Sequence, residues 1–320
     1  MGQGTILVLA DHRPGNVAQA LGVAEALDEP FHVLDVAYDR WGRLPNLVRG
    51  AGLLGIAPST RAALVPPWPR LVIGAGRRTA PLARWLKRHH GAALVQLMDP
   101  GGPGREDFAL IAVPLHDKSG DAPNIMRTLG SCHRVTAEKL AGEAAVWAPR
   151  LAHLPRPYLT LVVGGATKDR PFTTDQARAL IAGAVDQLRE TGGSILVTTS
   201  PRTSPEIETL LTAQLPDPRC LHPWRRGGDN PYLGFLALAD RIIVTGDSMT
   251  MCSEACATQA PVLIFAPPGM TGAKHERLHR ELYARGYARP LNDPGPARAH
   301  PPLNASAEVA AEIRRRGLLG

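Results

Sequence analysis

Short apolar runs closed by glycine, proline or aspartate return at intervals along this chain, and segments of helical periodicity fill the gaps. In the first half the runs fall at 5–10, 31–36, 70–75, 92–97 and 108–113; in the second they fall at 159–163, 194–199, 219–222, 241–245 and 261–265. Runs that are apolar throughout, rather than alternating, belong to strands covered on both faces. The clearest helix spans 16–28, where Val17, Ala20, Leu21, Ala24 and Leu27 form one stripe; others are expected near 173–190, 204–214, 231–239, 249–259 and 274–285. Strand and helix in alternation require parallel sheets with right-handed crossovers. At 320 residues the chain exceeds what one core commonly holds, and the plan repeats once.

The expected fold is therefore α/β, with two doubly wound Rossmann-like domains facing a cleft and ligands at the carboxyl ends of strands. Two prolines in LAHLPRPYL (151–159) mark a linker, giving domains 1–153 and 154–296. The stretch 290–304 is too proline-rich for regular structure, and Ser306–Arg315 reads as a capped helix, so 297–320 forms a tail and terminal helix.

Composition narrows the function classes. With 44% hydrophobic and 20% charged residues, packed cores are supported and disorder or a coiled coil is excluded. No apolar run approaches the roughly 20 residues of a membrane helix. The N-terminal MGQGTILVLA lacks a basic leader and enters a strand directly, which makes the cytoplasm the expected compartment. Cys132, Cys220, Cys252 and Cys256 show no CxxC spacing and read as reduced thiols. The net charge of +7 favours anionic partners, but no basic stripe interleaved with aromatics exists, so nucleic acid is not expected.

Chemistry-bearing residues gather after strand ends. In LVVGGATKD, Gly164 and Gly165 follow a strand and precede Thr167 and Lys168; the pair either lets backbone N–H groups approach a ligand or makes a tight turn. No GK[ST] follows, so this is not a P-loop. In VIGAGRRTA, Gly76, Arg77 and Arg78 lie in half of a dinucleotide fingerprint, with Thr79 where its third glycine belongs. The richest stretch, 239–265, ends a strand at Thr245, turns at Gly246, and offers Asp247 or Ser248 as cap for a helix carrying Met249, Thr250, Ser253 and Glu254. Such a helix start attracts an anion, and a carboxylate one or two turns on can accept both hydroxyls of a ribose; a capped core helix with Glu254 solvated is the alternative. Ser200, Arg202 and Thr203 follow another strand end, and Trp224, Arg225 and Asn230 a third.

Between the first strand and helix, Asp11, His12, Arg13, Gly15 and Asn16 form a charged turn, read either as a general base and substrate clamp or as a solvated turn. KHERLH (274–279) contains HExxH, but Lys274, Arg277 and Arg280 crowd it with positive charge, and no metal site is expected at His275 and His279. WGRLPNLVRGAGLLGIAP (41–58) interleaves Trp41, Leu44, Leu47, Leu53, Leu54 and Ile56 with Arg43 and Arg49; a half-buried helix is the commoner explanation, and docking on an anionic membrane or greasy acceptor the other.

Taken together, LADHRPGN, GAGRRTAPLARWL, PNIMRTLG, GGATKD, SPRTS, TGDSMTMCSEA and APVLIF resemble the elongated-mitochondria fission protein family of plants and alphaproteobacteria, over residues 5–290. Its bacterial members are described as nucleoside-diphosphate-sugar epimerases or glycosyltransferases. The architecture is also similar to GT-B glycosyltransferases, notably the lipid-linked N-acetylglucosaminyl transferase of peptidoglycan synthesis. That resemblance implies Glu254 as ribose ligand and the 248–251 N–H groups as phosphate site, with Asn16 standing where that enzyme has a functional histidine. Asparagine cannot act as a base, which leaves Asp11 or His12 for that role, or none; Asp11 is the stronger candidate, because neighbouring Arg13 can hold its carboxylate ionised. Asp247 is a second departure, since a carboxylate beside a diphosphate is repulsive unless it caps the helix away from it. The implied function is metal-independent glycosyl transfer from a nucleotide sugar to an envelope glycan or lipid, without a cofactor, in the cytoplasm or peripheral to the inner membrane. The alternatives are a sugar-nucleotide 2-epimerase and a catalytically silent scaffold.

Overall fold

In the computed structural model, which describes residues 5–296 and 298–320, the apolar runs become strands whose two faces feed two different cores. The first half contains β1 (Ile6–Ala10), α1 (Pro14–Ala26), β2 (Phe31–Asp35), α2 (Asn46–Arg49), α3 (Pro58–Ala62), β3 (Leu71–Ala75), α4 (Ala80–His90), β4 (Ala93–Leu97), β5 (Leu110–Pro114) and β6 (Ile125–Thr128). The second contains α5 (Ala137–Leu151), β7 (Tyr158–Val163), α6 (Thr174–Thr191), β8 (Ser194–Thr199), α7 (Pro205–Gln214), β9 (Arg219–His222), α8 (Tyr232–Leu238), β10 (Arg241–Thr245), α9 (Met249–Ala255), β11 (Val262–Phe265), α10 (Ala273–Ala284) and β12 (Arg289–Pro290), before α11 (Ala305–Arg315) closes the chain. Both sheets are parallel, ordered β2-β1-β3-β4-β5-β6 and β12-β11-β10-β7-β8-β9. The doubly wound α/β expectation holds for both. Two short strands went unforeseen: β6, half-buried over most of its length, and β12, which includes Pro290 from the stretch read as irregular. Proline is tolerated there because β12 lies at a sheet edge.

In the first sheet, Ile6, Val8 and Ile73 face α1 and α11, while Leu9, Val72 and Leu94 face α4. In the second, Leu161 and Val197 pack under α6 and α7, and Leu196 meets Phe235 on the opposite face. Each sheet thus has two apolar faces, which is why interior strands such as β1, β3, β5 and β11 carry unbroken runs, whereas the edge strands β2 and β9 are only partly buried and mix in polar residues.

The chain divides into two compact units, Met1–Arg134 with Asn304–Gly320, and Val135–Leu303. This differs from the sequence-based boundaries at 153 and 297. α5 packs along α8, with Trp147 edge-on to Phe235 at 5.8 Å, and the Tyr158 hydroxyl donates to the Leu151 and Leu154 carbonyls. The proline-marked segment is therefore an internal connection of the second unit. The tail is likewise no appendage: α11 lies against α1, and Ser306 bridges the N–H and carbonyl of His133 at 2.9 and 2.7 Å. Gly22 is needed at that contact, because a Cβ there would come within 2.2 Å of the His133 carbonyl oxygen. All four cysteines are free, and three are buried.

Candidate functional site

Each sheet has one point where the strand order reverses, and several of the polar residues singled out above lie beside it. In the first unit the reversal lies between β1 and β3. Asp11, 8% exposed, accepts the Arg13 N–H at 2.9 Å with one carboxylate oxygen and the Asn16 side-chain amide at 2.9 Å with the other. Both oxygens are held by the turn itself. Gly76 follows β3 with φ of +74°, and a Cβ there would lie 2.6 Å from Asn16 Nδ2, so glycine allows the two loops to close on each other. Exposed His12 accepts a hydrogen bond at Nε2 from Arg78 at 3.2 Å, which puts the ring proton on Nδ1. Beneath them sits Tyr38, which sequence reading missed. His12 is edge-on to its ring, and the Arg78 and Arg49 guanidiniums lie 5.7 and 5.5 Å from its centroid. Burial, then the charge of Asp11, raises the Tyr38 phenol pKa well above its usual value. Arg77 is exposed, its carbonyl receiving the buried Asn46 amide at 2.9 Å, and Arg13 and Gly15 are also exposed. His12, Tyr38, Asp39, Arg40, Arg43 and Arg78 line a pocket of about 540 Å³.

In the second unit the reversal lies between β7 and β10. Gly164 N–H donates to Thr245 Oγ1 at 2.7 Å and Gly165 N–H to Asp247 Oδ2 at 3.0 Å. A Cβ on Gly164 would fall 2.3 Å from the Asp247 carboxylate, and one on Gly165 2.0 Å from the Arg202 carbonyl oxygen. The glycine pair thus makes room for the protein's own carboxylate and backbone, and its N–H groups are engaged internally. Asp247 does not cap α9; Ser248 does, accepting the Met251 N–H at 3.3 Å. The Asp247 charge is met by Arg202 Nη1 at 2.6 Å, and the same nitrogen donates to the Gly165 and Ala166 carbonyls at 3.1 and 3.2 Å. Thr203, fully buried, ties this knot to the Val163 and Gly164 carbonyls.

The HExxH histidines hold the same turn from behind. His279 Nε2 pairs with the Gly246 carbonyl at 3.0 Å, and His275 hydrogen-bonds the Asp247 backbone. Burial lowers both pKa values, that of His279 to about 4, so its ring is neutral and donates from Nε2. Gly246 is obligatory, because a Cβ would sit 2.5 Å from that imidazole.

Further along the β8 and β9 ends, Trp224 N–H donates to Thr199 Oγ1 at 2.7 Å, Thr199 donates to Glu208 at 2.7 Å, and Arg225 pairs with Glu208 at 3.6 Å. Thr199, His222, Trp224, Arg225 and Asn230 line a pocket of about 320 Å³ in which the Trp224 side chain is exposed. Asn230 accepts the Tyr232 N–H at 3.1 Å, and the Tyr232 hydroxyl donates to Glu254 Oε2 at 2.6 Å. Burial raises the Glu254 pKa to about 7, against the opposing hydrogen bond from Tyr232. Oε1 has no partner among the described residues. Ser253 is buried and donates to the Met249 carbonyl at 2.8 Å; Lys168 is exposed; Met249, Thr250 and Thr167 are half-exposed; Ser200 sits over Thr203. Sequence reading missed Tyr232, Thr199 and Glu208; a tyrosine two residues after Asn230 was the available signal for the first.

Two parallel α/β units of Rossmann type make up the fold found in GT-B-type proteins. Solved structures share this fold: the UDP-GlcNAc 2-epimerase of Methanocaldococcus jannaschii (TM-score 0.53, 10% identity, 97% of this chain and 99% of that one) and that of Neisseria meningitidis bound to UDP-GlcNAc (0.52, 11%, 98% and 99%). The chain belongs to the mitochondrial fission ELM1 family, whose pattern it matches over residues 14–317. It is 28% identical to the mitochondrial fission protein ELM1 of Arabidopsis thaliana across 83% of this chain and 68% of that one. An uncharacterized protein of Rickettsia prowazekii is 26% identical across 97% of each. Among the described residues no helix is long and apolar enough to cross a membrane.

Proposed function

We propose that the second unit binds a nucleotide sugar, and that the protein is a metal-independent glycosyltransferase acting on an envelope glycan or glycolipid in the cytoplasm. The observation that carries this reading is Glu254, a half-buried carboxyl with one oxygen held by Tyr232 and the other without a partner, joined through Asn230 to a pocket edged by an exposed tryptophan. A ribose diol donates two hydrogen bonds to such a carboxylate, and a base stacks on the Trp224 face. Exposed Arg202 and Lys168 supply charge for the diphosphate, with Thr245 through Thr250 forming the turn beside it.

Transfer breaks the bond between the anomeric carbon and the diphosphate, which leaves with the electron pair, while the acceptor hydroxyl attacks and loses its proton. His12 is our choice of base: both Asp11 oxygens are tied into the turn, whereas the His12 Nε2 lone pair is held by the Arg78 guanidinium and becomes available to an acceptor hydroxyl when that contact opens. Arg13, Gly15, Asn16, Gly76, Arg77 and Arg78 form the acceptor side. No cofactor is needed for this chemistry.

The engagement of Asp11 and the presence of Asn16 favour one second reading, a binding protein without turnover. A nucleotide-sugar panel by thermal shift, followed by product analysis, separates the cases. Binding at 100-fold excess over Kd adds about 2.7 kcal/mol of stability. Transfer only with acceptor supports our reading; inversion at the sugar without acceptor assigns a 2-epimerase; binding without turnover assigns the silent protein; no binding overturns all three.

A further inference from the structure

The short helix α2 is amphipathic the wrong way round. Its polar residues Asn46 and Arg49, three apart, are 5% and 3% exposed, whereas the apolar Leu47 and Val48 between them are 74% and 58% exposed. Asn46 Nδ2 donates to the Arg77 and Pro100 carbonyls, both at 2.9 Å, and Arg49 to the Leu54 and Arg78 carbonyls at 3.0 and 3.2 Å. Nearby Trp41 and Leu54 are also exposed, at 45% and 41%. Half of the strongly exposed large apolar side chains among the described residues thus fall between positions 41 and 54.

The loop that carries them is stiff. Gly42 packs on Gly55, where a Cβ would lie 2.6 Å from the Gly42 nitrogen, and Asp39 accepts the Trp41 N–H at 2.8 Å. Arg61 holds the Leu53 and Ile56 carbonyls at 3.0 and 2.8 Å. An apolar patch held outward by buried polar anchors has no partner among the described residues of this unit. The charge around it is positive: exposed Arg40 lies over the Trp41 ring at 4.8 Å, Arg43 follows in the same turn, and both line the pocket that also holds Arg78, with Asp39 its one carboxylate.

We propose that the first unit docks on an anionic phospholipid surface through Trp41, Leu47, Val48 and Leu54, with Arg40 and Arg43 meeting headgroup phosphates. Apolar side chains rimmed by arginine suit the boundary between headgroups and acyl chains, where the rings and branched chains enter and the guanidiniums stay at phosphate level. This inference does not depend on the second unit binding a nucleotide.

The test is co-sedimentation of the full chain with phosphatidylcholine vesicles, either pure or carrying about 30 mol% phosphatidylglycerol, in low and high salt. Binding should require the anionic lipid and weaken with salt. Leu47→Glu with Val48→Glu should lower partitioning at least tenfold while the melting temperature stays that of the parent, because both positions are exposed. As a second measure, a nitroxide-bearing lipid should quench part of the tryptophan emission, and Trp41→Phe should remove that part. The proposal falls if the parent ignores anionic vesicles, if the double variant binds unchanged, or if Trp41→Phe leaves the quenching intact. It also falls if light scattering shows a dimer that the double variant dissolves without any vesicle binding, since the patch would then join copies of this chain.

Discussion

Arg202 and Asp247 meet at 2.6 Å across the Gly164–Gly165 loop, an exposed cation on a carboxylate whose side chain is only 1% exposed. The pair is why a carboxylate can stand at the reversal point of the second sheet. Its charge is already met, and its shape fills the space the glycines leave open.

Removing the cation strands the buried charge. Arg202→Met should destabilise the protein by about 1–3 kcal/mol, below the range for a fully buried pair because Arg202 itself is partly solvated. Adding Asp247→Asn should recover part of the loss. Urea unfolding of the three variants tests this, and additive effects would mean the pair is not coupled.

Glu254→Gln should weaken nucleotide-sugar binding by about 1–3 kcal/mol in calorimetry, and Tyr232→Phe by less, since it removes only a bond that positions the carboxyl. A chelator should leave binding unchanged if arginine and backbone, rather than metal, meet the diphosphate. Stoichiometric zinc on His275 and His279 would contradict the donor geometry of His279.

Two buried groups give opposite pH slopes. Glu254 has its pKa raised from 4.5 to about 7, so the folded state holds the proton longer, and stability from this group is lost as pH rises between those values. His279 is lowered from 6.5 to about 4; the unfolded state takes its proton first, and stability is lost as pH falls through that window. Against the parent, Glu254→Gln should therefore make stability climb more steeply between about pH 4.5 and 6.5, where both groups act. An unaltered profile would mean that the Glu254 carboxyl is not perturbed.

In the first unit, Asp11→Asn replaces one acceptor with a donor facing either the Arg13 N–H or the Asn16 amide. A cost of about 1–3 kcal/mol in stability is expected, with turnover of the folded fraction retained. His12→Ala should do the reverse, lowering transfer by about 100-fold or more at nearly constant melting temperature. If Asp11→Asn abolishes transfer in a folded protein, the base is Asp11.

The terminal helix belongs to the first unit's core. Ile313 is fully buried against it, so Ile313→Ala should cost about 2–5 kcal/mol. A loss under 1 kcal/mol would mean that the helix is a dispensable tail.

Most strands and helices were legible from the residues alone, because an apolar run and a 3.6-residue stripe are local patterns. The sequence also singled out the residues of the proposed site by their place after strand ends, Asp11, His12 and Gly76–Arg78 in one unit and Gly164, Arg202 and Asp247 in the other, with Glu254 on the helix that follows. What those residues face depends on contacts between segments far apart in the chain. Nothing near Asp11 in sequence says that Asn16 and Arg13 occupy both its oxygens, and nothing near Gly164 says that Asp247, some eighty residues on, fills its missing side chain. The HExxH spacing is a helical pattern, but its use to clamp the Gly246 turn depends on α10 lying behind β10. The unit boundary failed for the same reason. Proline punctuation is local, whereas the allegiance of α5 to α8 and of α11 to α1 is set by packing between segments distant in the chain, and the outward Leu47 and Val48 by carbonyls from three other loops that claim Asn46 and Arg49.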